Sequence, residues 1–284
     1  MSSIEQSIKQ KICNVGIPLS EWNLSIYRGI LTGFNEAFIV SGEIKDALIH
    51  SDPKSAEIIR PILRGRDIKR YSFSYADLWL IATFPSKHYN IDDYPAVKEH
   101  LLSFGIERLE QTGKTHSIGG KTVKARKKTT NKWFETQDSI SYWDDFSKQK
   151  IIYPETTQGA YFILDNGEFY LDKTCFFMIS EYPHYLIATL SSKLFEYAYK
   201  HIFSSIELGT SAYQYNKHAF VLLPVIKPSK VDEQTLIQLK EYVDAAMVEK
   251  SHNLKQEIIK KIDTIIYNLY DISNEEILHI ESIS

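Results

Sequence analysis

The chain has 284 residues, 43% apolar and 13% aromatic, which is enough to bury a sizeable core and excludes a disordered or low-complexity protein. Cys13 and Cys175 are too few and too distant for a disulfide framework or a paired zinc motif, and no run approaches the roughly 20 apolar residues of a membrane span, so a cytoplasmic protein without a membrane segment is expected. A net charge of −3 argues against evenly spread affinity for nucleic acid, but residues 229–284 hold six lysines against eleven acidic residues and leave the body weakly basic.

Residues 1–20 lack strong periodicity and are expected to form a lead-in arm, a linker remnant from an upstream domain, closed by Pro18. Ile26 to Ile30 and Ala37 to Val40 read as short strands about the Thr32-Gly33-Phe34-Asn35 turn. Asp52-Pro53 opens a helical turn that ends near Pro61, and Leu78 to Thr83 is a buried strand. Helical spacing over Pro95 to Gln111 predicts a helix that feeds a basic loop, where Lys114, Lys121, Lys124, Arg126, Lys127, Lys128 and Lys132 stand with no acid between residues 111 and 132. Trp133 follows as a loop anchor or a stacking platform.

Asn166-Gly167 between Tyr161-Phe162-Ile163-Leu164 and Phe169-Tyr170-Leu171 predicts a hairpin, because that dipeptide tolerates positive φ at both central positions. Thr174 to Ile179 adds a strand, Tyr185 to Ile202 an amphipathic helix, and Phe220 to Leu223 a strand after a polar loop over 204–217. From Val231 the apolar stripes Leu236, Leu239, Val243, Ala246 and Leu254, Ile258, Ile262, Ile265, Leu269 predict a helical hairpin broken near Ser251-His252-Asn253. Ser273-Asn274-Glu275-Glu276 has the spacing of a capping box opening a last helix.

Catalytic patterns are sparse. No Pro-Pro turn is present to hold a flipped adenine, and no Phe-x-Gly-x-Gly loop for S-adenosylmethionine. Gly113-Lys114-Thr115 and Gly120-Lys121-Thr122 lack the first glycine of a phosphate loop, and the histidines are not paired for zinc. Asp52 with Asp67-Ile68-Lys69 formally fits a nuclease metal site, in which carboxylates hold Mg²⁺ and the lysine steadies water. Binding chemistry is denser: Arg64, Arg66, Lys69 and Arg70 fall within seven residues around Gly65, and the 204–217 loop offers Ser211, Tyr213, Gln214 and Lys217.

Several ordered segments carry a resemblance: Gly29 to Phe38, Leu63-Arg64-Gly65-Arg66-Asp67-Ile68-Lys69-Arg70-Tyr71, Lys150-Ile151-Ile152-Tyr153, Tyr185 to Leu194, and Leu223-Pro224 before a helical tail. Together they resemble the C-terminal target-recognition domain of TaqI and Eco57I-like adenine methyltransferases and fused restriction-modification enzymes, with Ser191-Ser192-Lys193 where that family usually has Asn-Ser-Lys. The resemblance implies an α+β fold, a mixed curved β platform with surrounding helices followed by a C-terminal helical hairpin. It also implies an arm at 1–20, a recognition body at 21–228 and a helical region at 229–284 packed on it. The implied partners are double-stranded DNA and a methyltransferase catalytic domain, in cis or as a separate subunit. S-adenosylmethionine would belong to that domain, and no cofactor, metal or catalytic residue is expected here. Arg64, Arg66, Arg70, the 114–133 cations with Trp133, and Ser211, Tyr213, Gln214 and Lys217 are the expected DNA contacts. A metal-dependent endonuclease and a protein-interaction module whose helical tail docks a partner are the competing readings.

Overall fold

One antiparallel sheet separates two hydrophobic cores. Its strands run in the order Ile163–Asp165, Lys150–Pro154, Cys175–Ser180 and Leu24–Arg28. Side chains of a strand point alternately to opposite faces, so Ile26, Ile151, Tyr153, Phe176 and Met178 enter one core while Ile152, Ile163, Cys175 and Phe177 enter the other. Strands covered on both faces need apolar residues at consecutive positions, which is why Ile151-Ile152-Tyr153 reads as an unbroken run. This computed structural model describes residues 1–203, the backbone of 207–208, and 212–283. Among them no helix is long and apolar enough to cross a membrane.

The second core is closed by a mixed sheet ordered Tyr170–Leu171, Ile59–Leu63, Leu78–Ile81 and Ile39–Ser41, its first pair parallel and the others antiparallel. Helices Gly42–Ser51 and Pro95–Leu102 add Leu48, Val97 and Leu101 to it. On the far side of the large sheet, helices Glu233–Val248 and His252–Leu269 bury Leu239, Val243, Ala246, Ile259, Ile262 and Ile266. The fold is α+β, with the helical hairpin where the apolar stripes put it, although the second stripe is turned enough to leave Leu254 exposed. Glu276 closes the expected capping box with Ser273 and also accepts from Lys11 Nζ and Ser7 Oγ, each at 2.7 Å.

Several local expectations change. Residues 3–15 form a helix, capped by Ser2 and Glu5, that buries Ile8 and Ile12, and Ile17–Pro18 pairs with Pro224–Val225. The Asn-Gly segment is no hairpin: its two arms enter different sheets. Asp165 accepts from the amides of Gly167, Glu168 and Phe169, and Gly167 alone takes positive φ there, at 92°. The helix expected over 95–111 breaks at Gly105 (φ 85°). The one expected over 185–202 breaks at Ser192, whose hydroxyl accepts from the Phe195 amide and starts a new helix. Ala37–Phe38 belongs to a short helix, Asn35–Phe38, and the strand expected over Phe220 to Leu223 is instead the end of a short helix, Lys217–Phe220, and a turn.

Candidate nucleic-acid interface

The basic segment is a β-hairpin rather than a loop. Thr115–Ile118 pairs with Lys121–Lys124, and the turn between them is Gly119-Gly120, with φ of 54° and 77°, the positive values a two-residue hairpin turn requires. A two-stranded ribbon is marginal by itself, so its base must be anchored. The Gly113 amide donates to Arg126 O at 2.8 Å, the Arg126 amide to Glu110 O at 2.9 Å, and Gln111 Nε2 to the carbonyls of Lys132 and Glu135. Lys114, Lys121, Lys124, Lys127 and Lys128 are exposed and form no ion pair among the described residues. Lys132 is exposed over the Phe134 ring at 5.6 Å, and Trp133 is half-buried edge-on to Phe134.

Arg126, expected among the phosphate contacts, is instead a core residue. It is 2% exposed, and its guanidinium donates to the carbonyls of Leu109 (2.7 Å), Thr32 (2.8 Å), Glu135 (2.7 Å) and Trp133 (2.6 Å), with Phe38 stacked 4.9 Å away. Burial, with Arg108 nearby, pushes its pKa down to about 10, which leaves it a cation at neutral pH. Five planar N–H donors on three nitrogens reach carbonyls spread around the side chain, a span that the three donors on a lysine's single nitrogen cannot match.

The four cations around Gly65 also divide. Arg64 forms a two-point ion pair with Asp67, Nε to Oδ2 at 2.9 Å and Nη2 to Oδ1 at 2.8 Å, and Asp67 is 7% exposed. Gly65 lies against the neighbouring strand, its amide donating to Thr174 Oγ1 at 2.8 Å; a Cβ there would sit 2.9 Å from Thr174 O. Arg70 pairs with the buried Asp263 of the helical tail at 3.0 Å, and the Lys193 amide donates to the same carboxylate at 2.9 Å. The Arg-Asp and Ser-Ser-Lys segments are therefore joined to each other and to the tail. Arg66 is exposed and has no partner among the described residues.

Removing the Arg64 side chain leaves Asp67 buried with little beyond the Arg64 amide, so Arg64→Ala should lower stability by about 1–3 kcal/mol. Arg66→Ala should stay within about 0.5 kcal/mol of the parent. Thermal melts of the two variants check this, and equal midpoints would refute it.

In the polar loop, Ser211 lies outside the described residues. Tyr213 is 3% exposed in an aromatic cluster with Tyr199 and Tyr215, its hydroxyl 3.2 Å from that of Tyr215, so it packs rather than reads. Lys217 is exposed, with Nζ 3.3 Å from Ile26 O. Gln214 is half-buried, and its Nε2 donates to Glu155 Oε1 at 3.3 Å.

Glu155 leads to residues the sequence reading missed. Arg28 is 52% exposed and donates to Glu155 Oε2 at 2.6 Å, and Tyr142 Oη donates to Arg28 O at 2.9 Å. Asp138 connects this region to the hairpin: burial raises its pKa, while Arg28 from one side and Lys127 from the other hold it back. Arg108 extends the hairpin side, with its guanidinium 3.9 Å from the Phe34 ring and Nη1 donating to Lys124 O. Neither arginine sits in a cationic run, so no local signal marks them. The pairing of both 24–28 and 150–154 with 175–180 brings Arg28 beside Glu155.

Residues 60–225 match the TaqI-like C-terminal specificity domain family. The chain belongs to that family. No curated protein sequence matches the specificity domain. Among solved structures, it is similar to the type IIL restriction-modification enzyme MmeI in complex with DNA (TM-score 0.61, 16% identity, 93% of this chain and 35% of that one). It is also similar to the type IIG restriction endonuclease BpuSI (TM-score 0.54, 12% identity, 94% of this chain and 33% of that one). At these identities the likeness is one of fold, and the specificity domain spans about a third of either enzyme.

Proposed function

We propose that this specificity domain reads a short sequence in duplex DNA on behalf of a restriction-modification adenine methyltransferase whose methyl-transfer domain, in cis or as a separate subunit, lies outside these residues. S-adenosylmethionine belongs to that other domain. The observation that carries the reading is the hairpin and its base: five exposed lysines that form no ion pair among the described residues stand on an arm anchored to the core. Phosphates are the natural counter-charge for such an arm, and Lys and Arg on phosphates position a protein on DNA without reading it. Residues 21–228 act as the recognition body. The helices of 229–284 stiffen it through Arg70 and Asp263.

The nuclease alternative loses its residues to structural work. Asp67 is engaged by Arg64, and Asp52 accepts from the Lys54 amide and Ser55 Oγ as a helical cap. The interaction-module alternative loses its apolar stripes, which are largely buried against the body.

Salt-dependent binding to a duplex tests the proposal. Replacing Lys121, Lys124, Lys127 and Lys128 by alanine should flatten the slope of log affinity against log salt by about 3–4. Stability should change by no more than about 1 kcal/mol, since exposed unpaired charges contribute little. An unaltered slope would show that the hairpin does not meet phosphates.

A further inference from the structure

Arg64, Gly65, Arg66, Glu155, Thr156, Asp172 and Thr174 line a cleft of about 360 Å³ at the seam between the two sheets; Arg64 is held by Asp67, and Asp172 is buried and accepts from Thr174. Glu155 is fixed there through its main chain, the amide donating to Thr174 O at 2.8 Å and the carbonyl accepting from Tyr215 at 2.9 Å. Its carboxylate holds Arg28 by Nη2 at 2.6 Å and Gln214 by Nε2 at 3.3 Å, and Arg28 Nε donates to Lys173 O at 3.2 Å. Arg28 is thus aimed, with Nη1 uncommitted. Arg28 is not part of the cleft's lining but adjoins it through Glu155, whereas Arg66 lines it with its whole guanidinium uncommitted among the described residues.

The chemistry separates this cleft from the hairpin. Two carboxylates line the cleft, Glu155 at 23% exposed and the buried Asp172, and they repel phosphate, so the cleft is a poor backbone site. Base edges carry no formal charge, and two arginines with a carboxylate and an amide suit their donors and acceptors: arginine pairs bidentately with guanine O6 and N7. Arg28, already held by Glu155 and Lys173 O, also loses little freedom on binding. We infer that Arg66 reads a guanine edge in the major groove and that Arg28, aimed by the positioning residue Glu155, reads a second base of the same site. The inference rests on the duplex-reading function proposed above.

Selection of the full chain on a random-sequence duplex library, at low and moderate salt, tests it. The parent should enrich a short motif containing at least one G·C pair. Arg66→Ala should keep the other positions and lose roughly tenfold or more of the preference at one G·C pair. Glu155→Gln should weaken a different position, because it leaves Arg66 alone and loosens Arg28. Melting curves accompany each variant; should Glu155→Gln fail to fold, Arg66→Ala carries the test, since it removes no contact within the described residues. An even loss of affinity across all sequences in Arg66→Ala would assign Arg66 to a phosphate and overturn the inference, as would an unchanged motif. A parent that binds duplex with strong salt dependence yet enriches nothing would overturn the inference and leave phosphate binding standing. A parent that does not bind duplex at all would overturn the proposed function as well.

Discussion

Arg126→Met is expected to lower the unfolding free energy by about 3–5 kcal/mol, because several buried backbone acceptors lose their donor at once. The side chain is the shared donor for four carbonyls that come from three separate places in the chain: Thr32, Leu109 and the Trp133–Glu135 turn. Without it those carbonyls face an apolar side chain, and each unsatisfied buried acceptor costs about 1–3 kcal/mol before relaxation. Arg126→Lys should recover only part of the loss, because an ammonium has three donors on one atom and cannot span the same cage. Urea unfolding curves measure both. A midpoint for Arg126→Met within experimental error of the parent would show that water replaces the guanidinium and that the hairpin base is not anchored this way. The same variant should weaken DNA binding only as far as it unfolds the hairpin, in contrast to the four-lysine variant, which should weaken binding with the fold intact.

Asp165→Ala is expected to be nearly as damaging, again by about 3–5 kcal/mol. Lys150 is 0% exposed, and among the described residues its ammonium meets only the Asp165 carboxylate and, at 2.5 Å, the Phe146 carbonyl. Burial pulls the Lys150 pKa down, while Asp165 opposes that shift and holds the charge in place. The same carboxylate also organises the turn that carries the chain from the large sheet to the mixed sheet, through the amides of Gly167, Glu168 and Phe169. Its loss therefore strands a buried cation and frees the crossing at once. Pairing Asp165→Ala with Lys150→Met should recover part of the stability, since a buried ion pair replaced by apolar groups costs much less than one broken on a single side. If the double variant is as unstable as the sum of the single ones, the two side chains are not coupled, and the turn alone explains the effect.

Lys150 stands in one of the segments that carry the family resemblance, and so do Arg64, Asp67, Arg70 and Ser192. In the folded protein these residues make ion pairs and caps. The motifs that mark the family are thus largely its framework, and the residues free to face a ligand are ones such as Arg66 and the hairpin lysines that the framework leaves unpaired.

Much of the architecture was legible in order along the chain. The apolar run from Thr174 to Ile179 signalled a strand, stripes at helical spacing signalled the tail hairpin, and Ser273 with Glu276 signalled the last helix. Those signals are local, because side-chain period and capping depend on neighbours a few residues away. Pairing was not legible. The two arms of the Asn-Gly segment look like partners in sequence, yet each finds a better-buried neighbour elsewhere, Ile163–Asp165 beside Lys150–Ile152 and Tyr170–Leu171 beside Ile62–Leu63. The candidate site shows the same division more sharply. The basic segment was evident as a density of charge, but a cation's identity does not say whether carbonyls or water surround it, so Arg126 and Lys124 look alike until the fold buries one and exposes the other. The sequence by itself determined the tail helices and several of the strands, the family and where the positive charge is concentrated. Which arginines are struts and which are free was decided only by the tertiary structure, because burial and pairing depend on contacts between residues far apart in the chain.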